Sequence, residues 1–218
     1  MVSSVGLGVG LAAACGFRVF LPVLVMGLAA RAGFLELTEG FEWMAGMPAL
    51  LTVAVAMAFE VGAYYVPWLD NLLDTVAMPA AVTAGTVVAA ANVETASPLL
   101  SWSVAAVTGG GAAAVVQAGT TLLRGASTAV TAGLGNPVVS TVENGGALGL
   151  SLLALTVPVL ALSTVFVLVA VVVVRIRRHA SAVGRGQQAE AATATVQALR
   201  RQLSTGGRRF TRDEMNER

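Results

Sequence analysis

Long apolar stretches divide the chain, and their lengths predict membrane helices. A helix needs about 20 mostly apolar residues to cross about 30 Å of hydrocarbon. Three segments meet this requirement: residues 5–30, 47–66 and 99–123. A fourth segment, residues 147–174, is longer than needed, and a fifth, residues 78–93, is short and begins at Pro79, where a first helical turn tolerates proline. The pattern predicts an all-α, polytopic transmembrane helical bundle.

Residues 125–144 interrupt this apolar pattern. They are rich in Gly, Ser and Thr, and Gly133, Gly135 and Pro137 break the run. We expect a broken or re-entrant element that lines the interior, because unpaired backbone groups are tolerated at membrane depth only where protein or water satisfies them. A loop outside the membrane is the alternative. A re-entrant segment gives five crossings with the N-terminus outside, and a crossing segment gives six with the N-terminus inside.

Composition and charge distribution support the membrane class. The chain is 56% hydrophobic and 11% charged, whereas soluble domains contain about 25% charged residues. Residues 1–174 carry three arginines and eight acids, a net charge of −5, and residues 175–218 carry ten arginines and four acids, a net charge of +6. Because positive charge is retained in the cytoplasm, we expect a transmembrane domain over residues 1–174 and a basic cytoplasmic tail over residues 175–218. The tail is expected to be partly helical or disordered, with disorder from Ser204 onward.

Arg18 lies near the middle of the first predicted span. A charged residue at this depth costs about 2.5–3.5 kcal/mol on insertion scales, so it should face the bundle interior and be paired. Glu60, about 10 Å inside the end of its own helix, is the first candidate partner. Tyr64 follows one turn later on the same face and could hydrogen-bond with Glu60. The arrangement predicts either a contact to an ion or headgroup, or a buried clamp that fixes helix packing.

Two acid–amide pairs suggest further polar positions. Asp70 and Asn71 follow one proline, and Glu143 and Asn144 follow another. Such pairs could supply oxygen ligands to a cation, but no spacing in the chain amounts to a metal signature. We therefore predict no metal and no cofactor.

The third predicted span and the broken segment add three candidates. Gln117 and Arg124 are seven residues apart and share one helical face, where Gln117 could hydrogen-bond between helices or face a cavity. Asn136 lies within the broken segment and is expected to line the same interior. The glycines at 109–111 allow close helix approach or a break.

These residues favour a small transporter or channel-like protein for an ion or small solute. The alternative is a membrane scaffold or lipid-binding module in which the intramembrane charges are structural clamps. An enzyme is not expected, because no nucleophile with a nearby base is identifiable. The expected partners are the lipid bilayer, anionic lipid headgroups at the basic tail and a possible second copy of the chain, but no nucleic acid.

Five motifs resemble a bacterial family of membrane proteins, the domain of unknown function 4126. They are ACGFRVFLP (14–22), EVGAYYVPWLDNLLD (60–74), MPAAVTAG (78–85), TGGGAA (108–113) and GLGNPVVSTVE (133–143). The resemblance covers residues 5 to about 174 in order and implies a multi-pass protein of the bacterial cytoplasmic (inner) membrane. It implies no established activity. Another branch of that family carries Asp-Lys where this chain has Tyr64 and Tyr65, so a mechanism that needs those charges does not transfer.

Overall fold

The computed structural model describes residues 2–202, and for part of this range, including Trp68, Asp70, Asn71 and Asp74, it describes the backbone alone. The regular elements of the described residues are helical, as the sequence predicts. The α-helices are α1 (Val2–Ala14), α2 (Phe20–Arg31), α3 (Met47–Ala63), α4 (Pro67–Ala90), α5 (Pro98–Ala105), α6 (Gly111–Thr131), α7 (Asn136–Thr156) and α8 (Pro158–Gln202). The chain divides into two compact units, Met1–Val173 and Val174–Arg218. The tail residues predicted to be disordered, from Ser204 onward, lie outside the described range.

Several helices have the length and composition of membrane spans. Three stretches of the described residues are long and apolar enough to cross a membrane: Pro98–Thr131, Asn136–Thr156 and Pro158–Arg178. Four shorter apolar helices accompany them: Ser4–Ala14, Phe20–Arg31, Met47–Ala63 and Thr75–Ala90. The helices suggest a membrane protein, and the number of crossings, five or six, stays a prediction.

The first predicted span consists of two short antiparallel helices. Gly8 of α1 and Met26 of α2 both lie beside Asn92: a Cβ added at Gly8 would be 3.3 Å from the Cβ of Asn92, and Asn92 Nδ2 donates a hydrogen bond to Met26 Sδ over 3.2 Å. The chain therefore reverses between α1 and α2, and the prediction of one helix over residues 5–30 is wrong. With 13 and 12 residues, each arm of this α1–α2 hairpin is about 20 Å long, which is too short to cross the hydrocarbon.

Two residues help the tip of the hairpin (residues 15–19) to fit its surroundings. A Cβ added at Gly16 would be 2.6 Å from the Cβ of Val116, so glycine is needed for the tip to approach α6 this closely. Pro22 has no N–H and leaves the Arg18 carbonyl without its helical partner, which favours a break at this point. The hydrophobic length of residues 5–30 does not reveal the break, because both arms are apolar.

α3 runs antiparallel to α2 and reaches the tip of the hairpin. Near the start of α3, Leu50 packs close to Gly27 of α2. Near the end of α3, the side chain of Glu60 contacts the backbone of Val19. The helix predicted over residues 47–66 is confirmed in its main part, although it ends at Ala63, and its crossing of a membrane stays a prediction.

α4 begins earlier than the sequence predicts. It starts at Pro67, a favourable position for proline in a first turn, and continues through Pro79. The prediction of a helix starting at Pro79 is therefore wrong. An internal proline removes a single N–H donor, and the Thr83 hydroxyl donates to the Pro79 carbonyl over 2.8 Å.

α5 and α6 are joined by a π-helical turn, Ala106–Gly110, into one continuous helix. This helix covers the predicted segment 99–123, continues beyond it to Thr131, and is long and apolar enough to cross a membrane. The π turn packs closely on α4: a Cβ added at Gly85 would be 2.9 Å from the Gly109 carbonyl oxygen and 2.7 Å from the Cβ of Ala113. Small residues on both helices thus allow the backbones to approach each other, which is the usual basis of helix packing in membranes.

α6 and α7 form a second helical hairpin. The chain turns over residues 132–135, where Ala132 has a φ of 51° and Gly133 a φ of 89°. The break predicted within residues 125–144 is confirmed as this turn, and the remainder of the segment belongs to the two helices. Re-entry of the segment into a membrane stays a prediction.

α7 and α8 divide the predicted helix over residues 147–174 into two, so that prediction is wrong. Pro158 cannot donate a helical hydrogen bond, and it disfavours the helical conformation of the preceding residue. Val157 accordingly has φ −139° and ψ 74°. α8 then runs beside α1, with Pro158 close to Gly6 and Ala161 close to Gly10.

Candidate functional site

Arg18, at the tip of the α1–α2 hairpin, is almost completely buried, with 2% of its surface exposed. Its Nε donates a hydrogen bond to Asn144 Oδ1 over 2.5 Å, and its Nη2 donates to the Ser140 carbonyl over 3.2 Å. Nη2 also lies 3.2 Å from Glu143 Oε2. All three partners belong to α7, so the first hairpin meets the second through this arginine. Arg18 faces the interior and is paired, as predicted.

Arg124 is the second buried guanidinium, and it binds the same carboxylate. Its Nε donates to Glu143 Oε1 over 3.0 Å, and its Nη2 donates to Glu143 Oε2. Nη2 also donates to the Ser140 hydroxyl over 3.1 Å. Ser140 and Glu143 can both be reached because residues three apart lie on one face of a helix. Glu143 is thus shared between Arg18 and Arg124.

Tyr64 packs against both arginines. It follows the last residue of α3 and is buried. The Arg18 Cζ lies 4.0 Å from the centroid of the Tyr64 ring, and the Arg124 Cζ lies 4.3 Å from it. These distances are within the range of cation–π attraction, which is strongest when the partners are desolvated. We call Arg18, Tyr64, Arg124 and Glu143 the charged cluster.

Glu60 does not form the predicted ion pair with Arg18, whose carboxylate partner is Glu143. Instead, Glu60 Oε1 accepts a hydrogen bond from the Val19 N–H over 2.8 Å, and Oε2 accepts one from the Phe20 N–H over 3.0 Å. Glu60 is buried, with 8% of its surface exposed. Its carboxylate caps α2, whose first N–H groups have no helical acceptor and carry partial positive charge. The predicted hydrogen bond between Glu60 and Tyr64 stays a prediction.

Gln117 lies on the same buried face of α6 as Arg124, as predicted. It belongs to the part of α6 that packs on the hairpin tip, because a Cβ added at Gly16 would be 3.0 Å from the Gln117 nitrogen. Asn136 is elsewhere: its Nδ2 donates to Thr128 Oγ1 over 3.3 Å at the turn between α6 and α7. Gln117 therefore lies on the face of α6 that also carries Arg124 of the charged cluster. Asn136 forms its hydrogen bond at the α6–α7 turn.

The side chains of Asp70 and Asn71 lie outside the described residues, so their predicted role stays a prediction. Their backbone belongs to the first turns of α4. The other predicted acid–amide pair, Glu143 and Asn144, binds arginine side chains. Its oxygens therefore serve cationic nitrogen donors in this structure.

One member of the site, Ser140, was not among the predicted residues, and Asn144 was predicted as a cation ligand and not as a partner of Arg18. The Ser140 carbonyl accepts a hydrogen bond from Arg18, and the Ser140 hydroxyl accepts one from Arg124. Asn144 Oδ1 accepts a hydrogen bond from Arg18 Nε. The sequence signal was present in the helical spacing, since Ser140 precedes Glu143 by three residues and Asn144 is four residues after Ser140. The break at residues 133–137 hid this periodicity.

An apolar groove lies beside the hairpin, between α2, α3 and α4. Its volume is about 560 Å³. Its lining includes Val23, Met44, Leu50, Val76 and Ala84. Such a groove fits hydrocarbon and offers little to a hydrated ion.

The formal charges of Arg18, Arg124, Glu60 and Glu143 sum to zero. Two of them form a bidentate arginine–carboxylate pair, which is the most directional ion-pair geometry. The N–H groups at the start of α2 form a separate site for a hydrogen-bond acceptor. The Glu60 carboxylate occupies this site. The guanidinium and backbone N–H donors of this site can therefore bind charged acceptor groups.

Comparison with known proteins gives one match. A family model described as domain of unknown function (DUF4126) matches residues 5–178. No curated protein and no solved structure matches the chain.

Proposed function

We propose a function for this chain, which belongs to the family described as domain of unknown function (DUF4126): it is a small membrane transporter or channel-like protein for an ion or small solute. The family description assigns no activity, so the support comes from geometry. The observation that most supports this function is the buried, charged tip of the α1–α2 hairpin, where Arg18 forms an ion pair with Glu143. Charged groups and non-helical backbone are costly at membrane depth, and their usual use there is to line a polar pathway.

The packing supports five crossings rather than six. α3, α4, the joined α5 and α6, α7 and the first part of α8 would each cross, and the α1–α2 hairpin would enter and leave on one side. The basic tail favours a cytoplasmic C-terminus, so the hairpin would enter from the opposite side of a bacterial inner membrane. Discontinuous helices whose ends meet inside the membrane commonly build the binding sites of transporters.

Flux from reconstituted vesicles tests this proposal. Purified protein in liposomes loaded with potassium chloride is assayed with potassium-, proton- and chloride-sensitive readouts against protein-free liposomes. We expect flux of at least one of these ions, and a several-fold reduction in Glu143→Gln. Gly145→Ala is the matched control on α7, because a Cβ there meets nothing within 4 Å. Flux no different from that of empty liposomes for cations, protons and small anions would reject the proposal.

A second candidate function has its own support. The hydrogen bonds of the charged cluster suit a structural clamp, and the apolar groove suits a lipid chain, so the protein would be a lipid-binding module or scaffold. Its basic tail would add attraction for anionic headgroups. Under this alternative, phospholipid added to delipidated protein raises Tm, and Ala84→Trp in the groove removes that rise. No change in ion flux would accompany Ala84→Trp.

A further inference from the structure

The apolar groove between α2, α3 and α4 extends along α2, away from the tip of the hairpin. Val19 and Phe20 line the groove at the tip, and Trp43 and Met44 line it at the other end. There the Met44 carbonyl oxygen lies 2.7 Å from a Cβ added at Gly27, seven residues after Phe20 on α2. The groove therefore has one end at the charged tip and one end beside the loop that precedes α3.

The helical walls of the groove suit a hydrocarbon chain. Among the described lining residues of α2, α3 and α4, Thr83 supplies the polar side-chain group. Its hydroxyl donates to the Pro79 carbonyl over 2.8 Å, within α4. A polar occupant would lose its hydration there without gaining this donor, whereas an apolar chain loses nothing.

The length of α2 matches the thickness of one leaflet of a bilayer. With 12 residues, α2 is about 18 Å long, and one leaflet contains about half of the roughly 30 Å of hydrocarbon. Trp43 is 63% exposed, and tryptophan is enriched where a membrane protein meets the headgroups. A lipid chain in the groove would thus place its headgroup beside Trp43 and its chain end beside the hairpin tip.

A base and an acid flank the Trp43 end of the groove. Arg31, the last residue of α2, is exposed, and its Nη1 donates to the Ala45 carbonyl over 3.3 Å. Glu42, also exposed, begins the 3-10 turn that ends at Ala45, and three residues of such a turn rise about 6 Å. Neither Arg31 nor Glu42 forms a salt bridge within the described part of the chain.

These two charges are complementary to a headgroup that carries both signs. A guanidinium binds a phosphate through paired N–H donors. Glu42 Oε2 accepts the Gly40 N–H over 2.9 Å, and Oε1 is available to accept an N–H from an ammonium group. An anionic headgroup without the ammonium would bind Arg31 alone and would be repelled by Glu42.

We infer that the groove binds a zwitterionic phospholipid, with the phosphate on Arg31, the ammonium group on Glu42 and one acyl chain along α2. The inference rests on the second candidate function for the presence of lipid in the groove. It adds the chemical class of the headgroup and the orientation of the lipid. It stands whether or not the protein also moves an ion.

Lipid retention by the full chain tests the headgroup. Purified protein in detergent is incubated with equimolar phosphatidylethanolamine and phosphatidylglycerol of identical acyl chains, isolated again, and its bound lipid is quantified by mass spectrometry. We expect about two- to fivefold more phosphatidylethanolamine, the preference that one exposed ion pair gives. Glu42→Gln should remove this preference, and Glu36→Gln, a control at an exposed position of the same loop, should keep it. Equal preferences in the two variants would overturn the inference.

Arg31→Gln tests the phosphate. Both lipids carry a phosphate, so we expect about two- to fivefold less of each to be retained, and unchanged retention would overturn the inference. Glycerophosphoethanolamine, the headgroup without acyl chains, should leave the bound lipid in place. Its displacement of the lipid would overturn the position of the chain in the groove.

The outcomes separate this inference from the two candidate functions. Preferential retention of phosphatidylethanolamine by a protein that gives no ion flux would sustain the inference and reject the transporter. Equal retention of both lipids, with a rise in Tm that Ala84→Trp removes, would overturn the inference and leave the lipid-binding function standing.

Discussion

Arg124 and Glu143 form a bidentate ion pair that joins α6 to α7, eight residues before and eight residues after the turn at residues 132–135. The Glu143 carboxylate also forms an ion pair with Arg18, at the tip of the α1–α2 hairpin. One acidic side chain therefore ties two helical hairpins together, and its removal should affect both.

Replacing Glu143 tests this tie. Glu143→Gln leaves two buried guanidiniums without their shared carboxylate, and loss of one partner of a buried ion pair costs about 3–5 kcal/mol. We expect a loss of this size in the free energy of unfolding, measured by denaturant titration in detergent. Glu36→Gln, at an exposed position, should stay within about 0.5 kcal/mol of wild type. Similar stabilities for the two variants would contradict a structural tie through Glu143.

Tyr64 tests the contribution of the aromatic ring to the charged cluster. Tyr64→Phe keeps the ring over both guanidiniums, whereas Tyr64→Leu removes it at similar apolar volume. We expect Tyr64→Leu to cost about 2 kcal/mol more than Tyr64→Phe, because desolvated cation–π contacts are of this size. Thermal unfolding of both variants measures the difference. Equal losses in the two variants would mean that the ring faces contribute nothing specific.

Gly85 tests the close approach of α4 to the π turn. A Cβ at this position would be 2.9 Å from the Gly109 carbonyl oxygen, so Gly85→Ala should force the helices apart and cost about 1–3 kcal/mol. Gly111→Ala is the matched control, because its Cβ would meet nothing within 4 Å. Alanine there should be neutral or stabilising by up to about 1 kcal/mol, through helix propensity. Thermal unfolding that ranks Gly111→Ala below Gly85→Ala would contradict this packing.

We expect the orientation of the chain in the membrane to depend on the arginines that follow the last candidate membrane span, Pro158–Arg178. Replacing Arg175, Arg177 and Arg178 with Gln removes positive charge close to the membrane, where it has most influence on topology. We expect C-terminal reporter fusions to show a fraction of inverted molecules. Replacing three distant arginines with Gln, namely Arg208, Arg209 and Arg212, should leave the orientation unchanged. Equal behaviour of the two triple variants would show that overall charge, and not its position, sets the orientation.

The helical class and the buried state of Arg18 could be predicted from sequence, but the path of the chain between helices could not. Residues 5–30 have the same apolar composition whether they cross once or turn back, so hydropathy does not distinguish a span from the α1–α2 hairpin. Prolines were equally ambiguous. Pro79 lies inside a helix and Pro158 begins one, and the residue type alone does not distinguish the two positions.

The sequence predicts Glu60 as the partner of Arg18 because Glu60 is about 10 Å inside the end of its own helix, among apolar residues. Helical periodicity identifies a face of one helix, but it does not say which helices are neighbours in space. The actual partner, Glu143, becomes available only because α7 runs antiparallel to α1 and brings Asn144 to the hairpin tip. Glu60 lies next to Arg18 in space, but its carboxylate accepts hydrogen bonds from the backbone N–H groups of Val19 and Phe20 instead.

The hairpin at the start of the chain has a consequence for biosynthesis. Arg18 contacts Ser140 and Asn144, which follow it by 122 and 126 residues. Because a chain is made from its N-terminus, the tip is synthesised long before its partners exist. The hairpin tip must therefore wait for α7 to complete its surroundings, and a nascent chain that stops before Ser140 would lack these partners of the Arg18 guanidinium.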